Sequence, residues 1–323
     1  MRTIIYGVGA IGGAVAAALV DNGREVTGIA RGAQLDAIQA NGLRMRSPVF
    51  DKRVSFDCVS DPAEIAFRDD DAILLAMKTQ DTVAALERLR AVGVDEQPIF
   101  CLQNGVENER LALRRFPNVH ALCVMLPASF LDPGEVVAWC EPRFGVFDFG
   151  RFPSGHDAAD LALAEAFRGS MIEPFVADDA MASKYGKLLL NLSNILEAAM
   201  GRGADYQDIS ERLKDEAKAA FSAAGIAWKD VSSTDPRRKD FMRWSDVPGV
   251  PRVGGSTSQS LARGAGSVET DFLNGEISYL GRLYGVPTPL NDALARLGAR
   301  LARDGATPGS LTPDAMRAML GLV

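Results

Sequence analysis

The chain has 323 residues, 47% hydrophobic and 24% charged, with a formal net charge of −7; it is long enough for two cores and ordinary in composition for a globular protein. No stretch approaches the roughly 18 uninterrupted apolar residues of a membrane span, and the apolar N-terminus carries glycines rather than a cleavage pattern, so a cytoplasmic location without a membrane partner is expected. The acidic balance argues against nucleic acid as a partner, and the only two histidines, His120 and His156, stand in no ligand motif, so no metal site or His-centred triad is expected.

Ile4 and Ile5 predict a buried strand, the glycines after them a turn, and the Ala-rich run 14–20 a helix. A G-x-G-x-x-G placed between strand and helix is a dinucleotide clamp. Gly7 allows the tight turn, Gly9 lets the backbone approach a pyrophosphate, and Gly12 lets the helix pack on the strand, with helix-terminal N–H groups facing the anion. The candidate cofactor residues are therefore Gly7, Val8, Gly9, Ala10, Ile11 and Gly12. The next strand, 25–30, ends at Arg31, about 20 residues beyond the clamp, where an NAD enzyme places an acid for the ribose 2′-hydroxyl. A guanidinium suits a 2′-phosphate instead, which predicts NADPH/NADP as cofactor; the plainer reading is a solvated arginine opening the next helix.

A helix over 32–41 and short strands near 43–45 and 53–56 extend the expected sheet. Residues 71–77 and 97–102 are short, near-continuous apolar runs, the pattern of strands buried on both faces of a parallel sheet, with a crossover helix over 82–92. Ligands bind outside the carboxyl ends of such strands, so Lys78 after the first run and Asn104 after the second are aimed at the crevice of the glycine clamp. Taken singly, each is equally well a solvated strand-end lysine or a turn asparagine. Residues 119–149 read as antiparallel strands with a Pro133-Gly134 turn, 158–167 as a helix and 173–176 as the last strand. Cys58, Cys101, Cys123 and Cys140 show no C-x-x-C spacing and read as reduced core residues. Beyond 178 the pattern is helical at 180–200, 205–224, 268–284 and 291–303. The expected architecture is an α/β Rossmann domain with a doubly wound, mostly parallel sheet over 1–177, followed by an all-α C-terminal domain over 178–323. Apolar surfaces on the helical half leave room for a homodimer, with no interface located.

On the expected helix 180–200, Lys184, Lys187, Asn191 and Asn194 fall within an arc of roughly 80° at about 100° per residue. Buried unpaired, two lysines and two amides would cost several kcal/mol, so something polar must meet them: an interdomain hydrogen-bond network, a solvated groove or an anionic, oxygen-rich substrate. Late in the chain, Thr257 and Ser258 sit in a hydroxyl-rich segment compatible with a carboxylate-binding loop, and Glu269 is a partner for a lysine of the long helix.

The ordered set Gly7-x-Gly-x-x-Gly12, Arg31, Lys78, Gln103-Asn104-Gly105, Lys187-Leu188 with Asn191, and Glu269-Thr270-Asp271-Phe272-Leu273-Asn274-Gly275 resembles the ketopantoate reductase family over nearly the whole chain. The resemblance implies NADPH reducing a small 2-oxo acid in a cleft between the two domains, in the family's case 2-dehydropantoate to pantoate on the route to coenzyme A. It implies Lys187 as the general acid, Glu269 as the group that fixes it, and Asn191 on the substrate. It also implies Lys78 and Asn104 lining the cofactor and substrate cleft, and Thr257 or Ser258 on the substrate carboxylate. The family's second Asn, four residues after the first, is here Ile195, with Asn194 adjacent; Gln259-Ser260-Leu261 and Met125-Leu126-Pro127 also depart from it. A related reductase acting on a different 2-oxo acid or carbonyl substrate, or a nonenzymatic NADP(H)-binding sensor, are the alternatives.

Overall fold

The computed structural model describes every residue except Leu131, Ala265 and Val323. The chain divides into two compact units, Met1–Lys184 with Asp230–Val250, and Tyr185–Lys229 with Pro251–Val323. The expected division between 177 and 178 misses this excursion. Residues 230–250 return to the first unit because Met242–Trp244 pairs antiparallel with Cys140–Pro142, and because the Arg237 guanidinium lies 2.5 Å from Asp148 and 2.6 Å from Asp235, over the Phe175 ring.

The first unit is built on an eight-stranded sheet. From one edge its strands run Asp57–Val59, Val26–Ile29, Thr3–Tyr6, Ala72–Leu75, Ile99–Cys101, Val119–Met125, Gly145–Arg151 and Ile172–Val176. The first six are parallel, in the spatial order third, second, first, fourth, fifth, sixth of a dinucleotide-binding fold. Gly145–Arg151 pairs antiparallel with Val119–Met125 and parallel with Ile172–Val176, so the last two strands run opposite to the other six. The order reverses between Thr3–Tyr6 and Ala72–Leu75, and a crevice opens at the carboxyl ends of strands there. The unbroken apolar runs are explained by alternation onto two cores. Ile5, Leu74 and Phe100 pack with Ala14 and Val15 of helix Ala10–Asp21. Ile4, Ile73 and Ile99 pack with Leu86 and Leu89 of helix Thr82–Ala91.

Leu43–Ser47 and Phe50–Val54 do not extend this sheet as expected. They form a second, four-stranded sheet with Glu135–Ala138 and Ala128–Ser129. Helix Ala10–Asp21 lies against it through Gly13, where a Cβ would come 2.7 Å from Val136 and 3.3 Å from Leu43.

Among the described residues, the regular elements of the second unit are helices: the part of Ala180–Asn191 from Tyr185 on, then Asn194–Met200, Gln207–Ala223, Ser256–Ala262, Asn274–Tyr284, Pro289–Arg303 and Pro313–Met319, with a 3₁₀ turn at Glu269–Phe272. The expected single helix over 180–200 is two, Ala180–Asn191 and Asn194–Met200. At the break the Asn274 amide donates to the Leu192 carbonyl (3.1 Å) and to Asn291 Oδ1 (3.1 Å), and Asn291 Nδ2 donates to Glu216 (2.8 Å). Among the described residues no helix is long and apolar enough to cross a membrane.

Candidate active site

The glycine turn joins strand Thr3–Tyr6 to helix Ala10–Asp21, at the switch point of the sheet. Gly7 has φ +103° and backs onto the neighbouring strand's loop, where a Cβ would lie 2.7 Å from the Met77 nitrogen. At Gly12 a Cβ would overlap the Gly7 carbonyl oxygen, so only glycine lets the helix approach the strand. Gly9 is different: a Cβ there meets no protein atom within 4 Å. The helix it begins has no side-chain cap and no acid in its first turn. Its leading N–H groups, with Ala10 and Ile11 half-exposed beside them, therefore form a cradle that suits a phosphate. Val8, 3% exposed, belongs to the core, and its carbonyl accepts from Gln34 Nε2 at 2.9 Å. Gln34 Oε1 in turn accepts from the Gly134 nitrogen at 2.7 Å, which ties the glycine turn to the second sheet.

Arg31 follows strand Val26–Ile29 as the extended residue before helix Gly32–Asn41, and it is exposed. Its guanidinium makes no ion pair among the described residues, which leaves it available to an anion. Lys78 is half-buried and precedes the 3₁₀ turn Thr79–Asp81. Asn104 is half-buried in the turn after Ile99–Cys101. One buried amide links these two turns: Asn108 Nδ2 donates to Thr79 Oγ1 (3.1 Å) and to the Asn104 carbonyl (3.2 Å), while Thr82 Oγ1 donates to Asn108 Oδ1 (2.7 Å). The first unit thus brings the glycine turn, Lys78 and Asn104 to one end of its sheet.

Lys184 leaves the polar face on which the helical periodicity puts it. It is 3% exposed, forms a buried ion pair with Glu109, and donates to the carbonyls of Cys101 (3.3 Å) and Gln103 (3.1 Å). Burial pushes the Glu109 carboxyl up, against the pull of the Lys184 charge. The pair holds the backbone from which Asn104 projects.

In the second unit, Lys187 and Asn191 stand one turn apart on helix Ala180–Asn191 and so share a face. Lys187 is half-buried and Asn191 is 9% exposed. Gly186 precedes the lysine; a Cβ there would overlap the Lys229 carbonyl, so the chain at 229 lies directly on this turn. Glu269 opens the turn Glu269–Phe272, which is seated on helix Pro289–Arg303 at Gly298, where any Cβ would overlap Thr270.

Thr257 and Ser258 belong to the first turn of helix Ser256–Ala262 rather than to a loop, and both are buried. Asn194 and Ser258 come together around Gly254 and Gly255 through Glu197. The Gly255 nitrogen donates to Glu197 Oε2 at 3.1 Å. A Cβ on Gly254 would lie 3.1 Å from Glu197 Oε1 and 2.9 Å from Ser258 Oγ; one on Gly255 would lie 4.0 Å from Asn194 Oδ1. Burial and the Glu197 charge together hold the Tyr206 phenol above its ordinary value. The sequence reading missed Glu197, whose one signal is an acid three residues after Asn194 in an otherwise apolar run. It quoted Asn274 only as part of the 269–275 motif, without a role, and it missed Asn108, an ordinary turn residue in one dimension.

His120, Asp157 and Asp160 approach one another although neither histidine stands in a ligand motif. Their contacts are internal: His120 Nδ1 lies 2.9 Å from Asp160, the Arg151 guanidinium 2.5 Å from Asp157, and both aspartates cap helix Ala158–Phe167.

Family comparisons match both halves of the chain. The profile described as Ketopantoate reductase PanE/ApbA covers residues 3–152, and that described as Ketopantoate reductase PanE/ApbA C terminal covers 179–301. A 2-dehydropantoate 2-reductase of Mesorhizobium japonicum is 29% identical over 329 residues, spanning 94% of this chain and 98% of that protein. The crystal structure of a PanE/ApbA family ketopantoate reductase from Ralstonia eutropha superposes with a TM-score of 0.76 at 29% identity, over 94% of this chain and 99% of that one. D-mandelate dehydrogenase, in a ternary structure with NADH and anilino(oxo)acetate, shares the fold with a TM-score of 0.74 at 22% identity, over 94% and 99% of the two chains.

Proposed function

The chain belongs to the ketopantoate reductase family, and on that premise we propose that it is an NADPH-dependent reductase of a 2-oxo acid, with 2-dehydropantoate as substrate and pantoate as product. The observation that carries this reading is the pair Lys187 and Asn191, an ammonium donor and an amide one turn apart on helix Ala180–Asn191. NADPH, when bound, supplies the hydride that adds to the carbonyl carbon. Negative charge then develops on the carbonyl oxygen; the Lys187 ammonium stabilises it and passes a proton to it, giving the 2-hydroxy acid. Glu269 fixes the lysine, Asn191 and Asn194 orient the substrate, and the first-turn hydroxyls of Thr257 and Ser258 are the candidates for its carboxylate.

Cofactor binding in this reading falls to the glycine turn, Lys78 and Asn104, with Arg31 on the 2′-phosphate. The open space at Gly9 and the free guanidinium of Arg31 support it. Arg31→Ala should raise the KM for NADPH by roughly 10- to 100-fold, the loss of a charged hydrogen-bond partner, with little change for NADH; equal losses for both cofactors would remove the 2′-phosphate assignment. A second reading, a different 2-oxo acid, is favoured by Ile195 in place of the family's second asparagine.

The function is tested by following NADPH oxidation with 2-dehydropantoate, pyruvate and bulkier branched 2-oxo acids. We expect turnover of 2-dehydropantoate that drops by about 10²- to 10⁴-fold in Lys187→Ala, with NADPH binding retained. Turnover of another 2-oxo acid alone would keep the mechanism and change the substrate. No turnover by the unmutated protein, with normal NADPH binding, would make it a sensor.

A further inference from the structure

We propose that Asn108 is a positioning residue for NADPH, setting Lys78 and Asn104 in a fixed relation across the two turns that carry them; this rests on the reading of those turns as cofactor-binding. Asn108 opens helix Asn108–Leu113, is wholly buried, and directs its amide to both turns. Nδ2 donates to Thr79 Oγ1 (3.1 Å), one residue past Lys78, and to the backbone carbonyl of Asn104 (3.2 Å). Oδ1 accepts from Thr82 Oγ1 (2.7 Å), and that hydroxyl accepts in turn from Gln103 Nε2 at 3.1 Å. The bonds close a ring, from the Gln103 side chain through Thr82 and Asn108 to the carbonyl of Asn104, the next residue. Gln103 Nε2 also lies 3.4 Å from Met77 Sδ, and Gly7 packs against the Met77 nitrogen, so the ring extends to the glycine turn.

Burial makes this ring rigid. Thr79, Thr82, Gln103 and Asn108 are each at most 5% exposed, so no bulk water replaces a bond that breaks. The carbonyls of Cys101 and Gln103 are held by Lys184, whose carboxylate partner Glu109 follows Asn108 in the chain. The carbonyls of Cys101, Gln103 and Asn104 therefore all point to buried donors, and the turn cannot rotate without breaking one of these bonds. A shift of either turn is passed to the other through Asn108, since members of one hydrogen-bond network respond together. Being wholly buried, Asn108 itself reaches no ligand; it acts through the two turns it joins.

The test is a mutant cycle on NADPH affinity, read by fluorescence titration of the full chain. In the unmutated background Asn108→Ala should raise the Kd for NADPH by about tenfold, the cost of losing a buried hydrogen-bond partner. In a chain that already carries Lys78→Ala and Asn104→Ala the same substitution should add less than about twofold, because the groups it positions are gone. Thr79→Val, which removes the hydroxyl of the first turn and keeps the side chain's shape, should also weaken NADPH, whereas Thr79→Ser, which keeps the hydroxyl, should not; this pair decides the matter if Asn108→Ala does not fold. An Asn108→Ala protein that melts earlier but binds NADPH normally, a loss that persists in the triple variant, or equal affinities in the two Thr79 variants would overturn the positioning role and leave the cofactor reading intact. Normal NADPH binding by the chain carrying Lys78→Ala and Asn104→Ala would overturn both.

Discussion

Gly9 and Gly12 differ in what a methyl group would meet, and that difference separates binding from stability within one turn of chain. At Gly12 the added atom would overlap the Gly7 carbonyl, whereas at Gly9 it would project into open space. Gly12→Ala should therefore lower the unfolding midpoint, because the helix must move off the strand. Gly9→Ala should leave the midpoint within a degree or so, since surface changes without a buried partner shift stability by about ±0.5 kcal/mol, yet it should weaken cofactor binding by closing the approach to the pyrophosphate. Calorimetric melting with and without NADPH checks both. A Gly9→Ala protein that melts early would mean that the turn is structural throughout. The cysteines also act as core residues: all four are buried, and burial pushes the Cys58 thiol up to about 11.

At the scale of the element, the decisive feature is the interruption between helices Ala180–Asn191 and Asn194–Met200. A continuous helix would put Asn191 and Asn194 on one face; the break lets Asn194 join Glu197 and Ser258 instead. Asn274, 1% exposed, holds that break by donating to the Leu192 carbonyl, and it also bonds Asn291, which reaches Glu216 on helix Gln207–Ala223. Asn274→Ala removes both donors and leaves a buried carbonyl unsatisfied, for which we expect a loss of about 1–3 kcal/mol in urea unfolding. An unchanged midpoint would show that the sequence around Ser193 breaks the helix unaided. The strand ends are held by comparable means. The Lys184–Glu109 pair and the Asn108 amide tie the turns carrying Asn104 and Lys78 to the buried interior of the sheet. A hydrogen-bonded interior under a functional turn fixes its geometry better than the turn's own residues do.

At the scale of the whole molecule, the first unit is assembled from two separated stretches of chain. Residues 230–250 lie between helices of the second unit in sequence, yet they add a strand to Cys140–Pro142 and an arginine to Asp148. The second sheet likewise gathers strands from 43–54 and 128–138. Neither arrangement alters the order of the six parallel strands, and the second sheet is tied to the glycine turn through Gln34, which bridges the Val8 carbonyl and the Gly134 nitrogen.

Features that depend on near neighbours along the chain were legible in one dimension. Unbroken apolar runs mark strands buried on both faces, the 3.6-residue period marks the helical half, and glycines at 7, 9 and 12 mark a tight turn between strand and helix, because backbone sterics and period act within a few residues. The places of Lys78 and Asn104 at strand ends were legible for the same reason, since each follows a recognisable apolar run. Which polar residues meet was set by packing between distant stretches of chain. Lys184 and Lys187 differ by three positions and look alike in sequence, yet Lys184 is consumed by a carboxylate 75 residues away. Glu197 gains its surroundings from Gly255, 58 residues distant, and Leu192 gains its partner from Asn274, 82 residues distant. Burial and hydrogen-bond satisfaction are properties of packed neighbours rather than of local pattern, and a buried polar group takes whichever partner the fold supplies.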